Sequence, residues 1–269
     1  MMMAARRQLV LRRLLVCGLV LSGPMSAALG DAWAAVTVWP VQMPYEAPPK
    51  AEPVPDVSVA PNTKALTPEE LQRAEALLPL LEGKQEFWAM GEFVHLGESV
   101  LPVVTKALTM PGPRIRYNAI ETISMIKAPA AVPALLETAK QSGELPRIRE
   151  HALRVAVRLD PLQAPPAIEV MAKDPNSAIR KSAAFEARYV RHKDVIQPLI
   201  DMVGDEERYV AMSAVQSLWM LTRHETEFHD WDASNKQDRQ AWAQEWVEWW
   251  NLSKDTFELP EPRSRKRAS

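Results

Sequence analysis

Between residues 114 and 222, apolar side chains recur at fixed offsets from four starting points. Ile115, Ala119, Ile123 and Ile126 stand at offsets 0, 4, 8 and 11. The same offsets select Ile148, Ala152, Ala156 and Leu159, then Ile179, Ala183, Ala187 and Val190, then Val210, Ala214, Leu218 and Leu221. The starts lie 33, 31 and 31 residues apart. Offsets of this kind place one apolar stripe on one face of an α-helix, and a fixed period of this length marks stacked helix pairs. A second series agrees. Pro102, Pro133, Pro166 and Pro198 are spaced by 31, 33 and 32 residues, and each is followed two residues later by Val104, Leu135, Ile168 or Ile200. Proline is tolerated in a helix's first turn, where its missing N–H is not needed, so these positions predict second helices with buried faces.

The tidiest unit is 114–140, in which two short helices meet at a Lys127-Ala128-Pro129 corner. A single such pair cannot bury its apolar face, so the pairs are expected to stack into an all-α superhelical solenoid. The alanine at the second stripe position of every first helix admits a close neighbour. Upstream, Thr67-Pro68-Glu69-Glu70 predicts a capped helix start, with Leu71, Ala74, Leu77, Leu78 and Leu81 as its stripe. Phe87, Met90 and Val94 are expected to serve as the stripe of a degenerate first unit that completes an N-terminal cap.

Ile115-Arg116 with Ala119, the run Ala131-Val132-Pro133-Ala134-Leu135-Leu136, and the run from Asp174 to Ala183 resemble HEAT repeats. They are most similar to the bacterial units called phycobilisome-lyase HEAT-like. The resemblance covers roughly residues 84–252 and implies an armadillo-like helical fold that mainly binds other proteins. It also implies a ladder in which an Asp six residues before an Arg links neighbouring repeats. Only Asp174 and Arg180 keep that spacing: Arg116 and Arg149 lack the Asp, and Asp205 precedes Ala211. Less regular stacking is expected there.

The ends are organised differently. Residues 1–34 read as a secretory signal peptide, with Arg6, Arg7, Arg12 and Arg13 before the apolar run Leu14 to Leu21 and Ala32-Trp33-Ala34 as a cleavage site. The run is too short for a membrane span, so no stable span is expected after cleavage, and a periplasmic or secreted location is. Arg6-Arg7 also resembles a twin-arginine pair, and Cys17, the chain's one cysteine, is expected to leave with the signal. Residues 35–66, rich in proline, read as a disordered linker, and 253–269 as a disordered basic tail containing Arg263, Arg265, Lys266 and Arg267. The solenoid is assigned to 67–252.

The whole chain carries a formal charge of −2. Loss of residues 1–34 leaves 28 basic side chains (32 less 4) against 33 acidic (34 less 1), a charge of −5. That balance argues against nucleic acid or anionic lipid as a partner.

After Leu221 the period breaks into a segment at 222–237. His224, Glu225, His229, Asp230 and Asp232 make it the one dense cluster of metal-ligating types. A tryptophan helix follows, with Trp242, Trp246, Trp249 and Trp250 on one face, serving either as a buried cap or as an exposed binding face. Among HEAT-like relatives are bilin lyases and a di-iron hydroxylase. The latter would need repeated His-Glu pairs, whereas this chain has His224-Glu225 outside the period and a reversed Glu150-His151. No cofactor is expected. The reading is a non-catalytic scaffold or adaptor that binds another protein or peptide; its alternative is a HEAT-like lyase or a metal-dependent enzyme built on the 222–237 loop. The protein-binding groove is assigned to exposed second-helix positions Lys106, Glu137, Lys140, Glu169, Lys173, Gln197 and Asp201.

Overall fold

A computed structural model describes residues 65–227 and 229–261, and every regular element among them is helical. The signal peptide, nearly all of the proline-rich linker and residues 262–269 lie outside the described residues. Helix α1 (Pro68–Leu77) starts with the expected capping box, Thr67 accepting from the Glu70 N–H at 3.2 Å and Glu70 accepting from the Thr67 N–H at 2.8 Å. Helices α2 (Glu86–Leu96) and α3 (Leu101–Val104) follow, α3 being a single turn between two 3-10 segments. The repeating part comprises α4 (Pro113–Ile126), α5 (Val132–Lys140), α6 (Pro146–Leu159), α7 (Pro165–Ala172), α8 (Ser177–Ala187), α9 (Ile196–Val203) and α10 (Arg208–Thr222). Helix α11 (Lys236–Ser253) ends it.

First helices α4, α6, α8 and α10 pack each on the next, and second helices α5, α7 and α9 do the same. Each second helix packs most extensively on the first helix that follows it. Of the sixteen stripe positions, fourteen are buried, and Ile126 and Leu159 are partly buried against the same core, so the period tracks burial and not merely helicity. Val190 is buried in the turn after α8 rather than on the helix. The alanines at 119, 152, 183 and 214 have no exposed surface, as close backbone approach requires. At the corner of the first unit Lys127 adopts the left-handed conformation (φ 60°), and its N–H returns to the Ile123 carbonyl.

Two expected stripes shift. In α2 the buried positions are Glu86, Ala89, Met90 and Phe93; Phe87 is 77% exposed and Val94 only partly buried. The cause is Glu86, which turns inward to meet Arg114 and the Asn118 amide and so sets the helix's rotation. Leu71 of α1 is also exposed, at 41%.

The larger correction concerns the ladder. No arginine uses the carboxylate of its own preceding loop; each reaches the acid of the next one. Arg116 grips Glu144 with both Nε and Nη2, Arg149 donates to Asp174 at 2.6 Å, and Arg180 holds Asp205 in two bonds of 2.7 and 2.9 Å. Arg116 also donates to the Met110 and Pro111 carbonyls, and Arg180 to those of Asp174 and Pro175, positions six and five residues back in each case. The acids in turn accept a backbone N–H at the next helix start: Leu145 for Glu144, Asn176 for Asp174 and Glu207 for Asp205.

At Ala211 the guanidinium is missing, and the two carbonyls it would serve by this count are those of Asp205 and Glu206. Arg239 of α11, 4% exposed, donates to both, at 3.0 and 2.7 Å. The terminal helix therefore supplies the group that the last repeat lacks. It also packs on α9 and buries Trp246 and Trp250, which makes it a cap. Order does not stop at residue 252: Phe257 and Leu259 pack on the core, and Arg191 and Arg223 donate to the Pro260 and Glu261 carbonyls. Hydrophobic docking of Phe257 edge-on to Trp249 and Trp250 holds this part of the predicted tail.

Replacing one partner of a buried pair strands the other charge. Arg149→Leu is expected to lower unfolding free energy in urea by about 3–5 kcal/mol, because Asp174 then stays buried without its counter-charge.

Candidate functional site

The face of the first helices opposite their core stripes is left uncovered. On α6 this face carries Arg147, Glu150, Arg154 and Arg158, successive turns of one helix face. On α8 it carries Lys181 and Phe185, with Tyr189 in the turn that follows. Between the two helices lies a groove of about 810 Å³, lined by Glu150, Arg154, Val157 and Arg158 on one side and by Ala178, Lys181, Ser182, Phe185, Glu186 and Tyr189 on the other. A groove of about 390 Å³ continues it between α4 and α6, and one of about 430 Å³ lies between α2 and α4, where Phe87, Met90, Tyr117 and Met125 give an apolar lining. These grooves thus run along the first helices.

The larger groove joins cations to aromatic surface. Among the described residues, Arg147, Arg154 and Arg158 make no side-chain hydrogen bond or ion pair, and Lys181 makes only a cation–π contact with Tyr209, 5.8 Å from the ring centre. Phe185 and Tyr189 are 40% and 52% exposed. Arg188 stacks on Phe185 at 4.0 Å, with Nε and Nη2 sealed from solvent and unpartnered. Burial pushes the Glu186 carboxyl above its ordinary range, against the pull of Arg154, Arg158 and Arg188. Burial likewise raises Glu150, opposed by Arg154 and Lys181. Desolvation outweighs the attraction of the neighbouring cations in both cases.

Beneath the α4–α6 groove, His151 stacks on Tyr117 with ring centres 4.6 Å apart. Its Nε2 lies 3.1 Å from Glu121, out of line for a hydrogen bond, and neither ring nitrogen has a partner. Burial lowers its pKa; Glu121 opposes the shift, and Arg154 and Arg158 reinforce it. The ring is held neutral and acts as packing. His192 caps the turn before α9 by accepting from the Asp194 N–H.

The seven second-helix positions of the expected groove do not converge on a concavity. Six are exposed and Lys140 is half-buried, and they pair along their own helices: Lys140 with Glu137, Lys173 with Glu169 at 3.0 Å, and Gln197 with Asp201 at 2.8 Å. Lys106 pairs with Glu75 of α1. None lines the grooves described above. Charges at helical spacing thus neutralise one another along the second helices.

The residues of the 222–237 segment also diverge. His224 stacks on Trp249 at 4.4 Å, while His229 stacks on Trp242 at 4.3 Å and approaches Glu245. Asp232 accepts from Arg208, and Asp230 from the Asp232 and Ala233 N–H groups. Among the described residues no three His, Cys, Asp or Glu side chains come together as a metal ion would require. Burial lowers the His224 pKa, in keeping with a ring set against tryptophan. No described helix is long and apolar enough to cross a membrane.

Sequence reasoning missed Arg147, Arg154, Arg158, Lys181, Phe185 and Tyr189. The available signal was the charged row on α6 opposite Ile148, Ala152 and Ala156, together with the aromatics Phe185 on α8 and Tyr189 just after it. Scans of protein-family models and of curated proteins find no match to this chain.

Because the Glu186 pKa is raised on folding, ionisation of this carboxyl opposes the folded state. The opposition is absent below the unfolded carboxyl pKa and develops as pH rises through the folded value. Glu186→Gln is expected to raise the melting temperature at pH 7 and to leave it nearly unchanged at about pH 3.5, below the ordinary glutamate range. Thermal denaturation at the two pH values checks this.

Proposed function

We propose that this chain is an exported HEAT-like α-solenoid, preceded by a proline-rich N-terminal linker, that serves as a non-catalytic protein-binding adaptor in the cell envelope. Support for the solenoid comes from the period, from the serial packing of first on first and second on second helices, and from the arginine ladder. Export rests on the sequence of residues 1–34, and binding on the surface. One observation carries the functional reading: consecutive first helices line grooves that combine half-exposed aromatic rings with unpaired cations. Exposed aromatic and arginine side chains in a concavity are the types that anchor protein interfaces. The binding surface is accordingly assigned to α4, α6 and α8 in place of the second helices.

Site-specific photo-crosslinking in the native host tests this. A crosslinking residue at Ser182 or Tyr189 is expected to trap a discrete protein partner in the envelope fraction, while one at Glu169 or Asp201 is not. Equal trapping from both faces, or recovery of the chain in the cytoplasm alone, would overturn the reading.

A further inference from the structure

Many surface cations on this protein are neutralised locally. Arg73 pairs with Glu92, Lys106 with Glu75, Lys140 with Glu137 and Lys173 with Glu169. The groove between α6 and α8 instead gathers several unpaired cations on one surface. Arg154 and Arg158, one helical turn apart, stand without an ion-pair partner even though Glu150 and Glu186 line the same groove, and Lys181 faces them from α8. Beside them Arg188 keeps two donors unsatisfied in a dry environment, which is costly for a guanidinium. Phe185 and Tyr189 add apolar surface that water covers poorly. Such a groove asks for spaced negative charges next to an apolar group.

Taking the protein-binding function as its basis, we infer that the α6–α8 groove docks an acidic segment of the partner in extended conformation. Two carboxylates sit on Arg154, Arg158 and Lys181, and an aliphatic or aromatic side chain follows on Phe185 and Tyr189. The spacing fits. Alternate residues of an extended chain lie about 7 Å apart on one side, and guanidinium groups one helical turn apart start from a rise of about 5.4 Å. A Glu-x-Glu-x-Leu pattern therefore meets the two arginines and then the rings. A phosphodiester strand fits less well. Its charges are dense and continuous, whereas Glu150 and Glu186 interrupt the cationic track. The volume of about 810 Å³ suffices for a few side chains rather than a folded surface.

Fluorescence anisotropy on the full chain tests the inference with three labelled probes: a peptide built on Glu-Ser-Glu-Ser-Leu, the same peptide with Gln for Glu, and an oligothymidylate. The glutamate peptide is expected to bind, more weakly as salt rises, and the glutamine peptide to bind about tenfold more weakly or not at all. Arg154→Ala and Arg158→Ala are each expected to weaken the glutamate peptide by about threefold to tenfold. Lys173→Ala on the opposite face should change nothing, and circular dichroism confirms equal helix content in all variants. Equal affinity for the two peptides, silence of both arginine substitutions, absence of peptide binding, or tighter binding of the oligothymidylate would each overturn it. If crosslinks from Ser182 persist in that event, the protein-binding function stands and only the acidic partner is wrong.

Discussion

Helices α4, α6 and α8 each send an arginine across to the loop that begins the next first helix, and the stacking order depends on that crossing. Amphipathic helices with stripes of Ile, Leu, Val and Ala bury apolar area against almost any similar neighbour, because the hydrophobic effect has no direction. The guanidinium has direction. Arg116, Arg149 and Arg180 each meet the one carboxylate that lies 28, 25 or 25 residues ahead, and Arg116 and Arg180 also fasten carbonyls of their own loop. Charges this buried give back much of their attraction as desolvation, so the bulk of the stability comes from the core. What the ladder adds is a single register for each layer on the next.

The same constraint explains both ends. At the N-terminal end Glu86 turns into the core to meet Arg114, which rotates α2 and leaves Phe87 at the surface. Glu144 shows the energetic balance within a rung: burial pushes its carboxyl up, but the Arg116 hydrogen bonds and charge and the Leu145 N–H together hold it below the ordinary range. At the C-terminal end the last repeat has Ala211 where its predecessors have arginine, and Arg239 fills the role from α11. A helix that covers the final apolar face with tryptophan and completes the ladder is doubly fixed. Once the ladder and core have claimed two sides of each first helix, the side left over carries Arg154, Arg158, Lys181 and the aromatic rings. The groove is a consequence of which side remains open.

Much of the fold could be read directly from the chain. Apolar offsets located the first helices and their burial, the prolines marked the second helices, and the Thr67 to Glu70 cap was placed correctly, because each is a local signal with a local cause. The ladder was read only in part. Its arginines stand out, but their partners lie in the next loop, and a search for Asp six residues upstream found Asp174 and Asp205 without finding whom they serve. Arg239 was illegible for the same reason: nothing local ties it to a carbonyl 34 residues earlier. The grooves along the first helices were not legible because polar second-helix residues look available one at a time, whereas their pairing within a helix and the open side of α6 are properties of the assembled surface.

The central claim is that every inter-repeat loop requires a guanidinium and that its origin in the chain does not matter. Moving the last one tests this directly. Thermal unfolding is compared for the native chain, Arg239→Ala, and Arg239→Ala combined with Ala211→Arg, which restores arginine at the place the first three repeats use. The account predicts a fall of several degrees for Arg239→Ala and recovery of most of it in the double variant. Unchanged unfolding in Arg239→Ala, or a double variant no more stable than the single one, would contradict it.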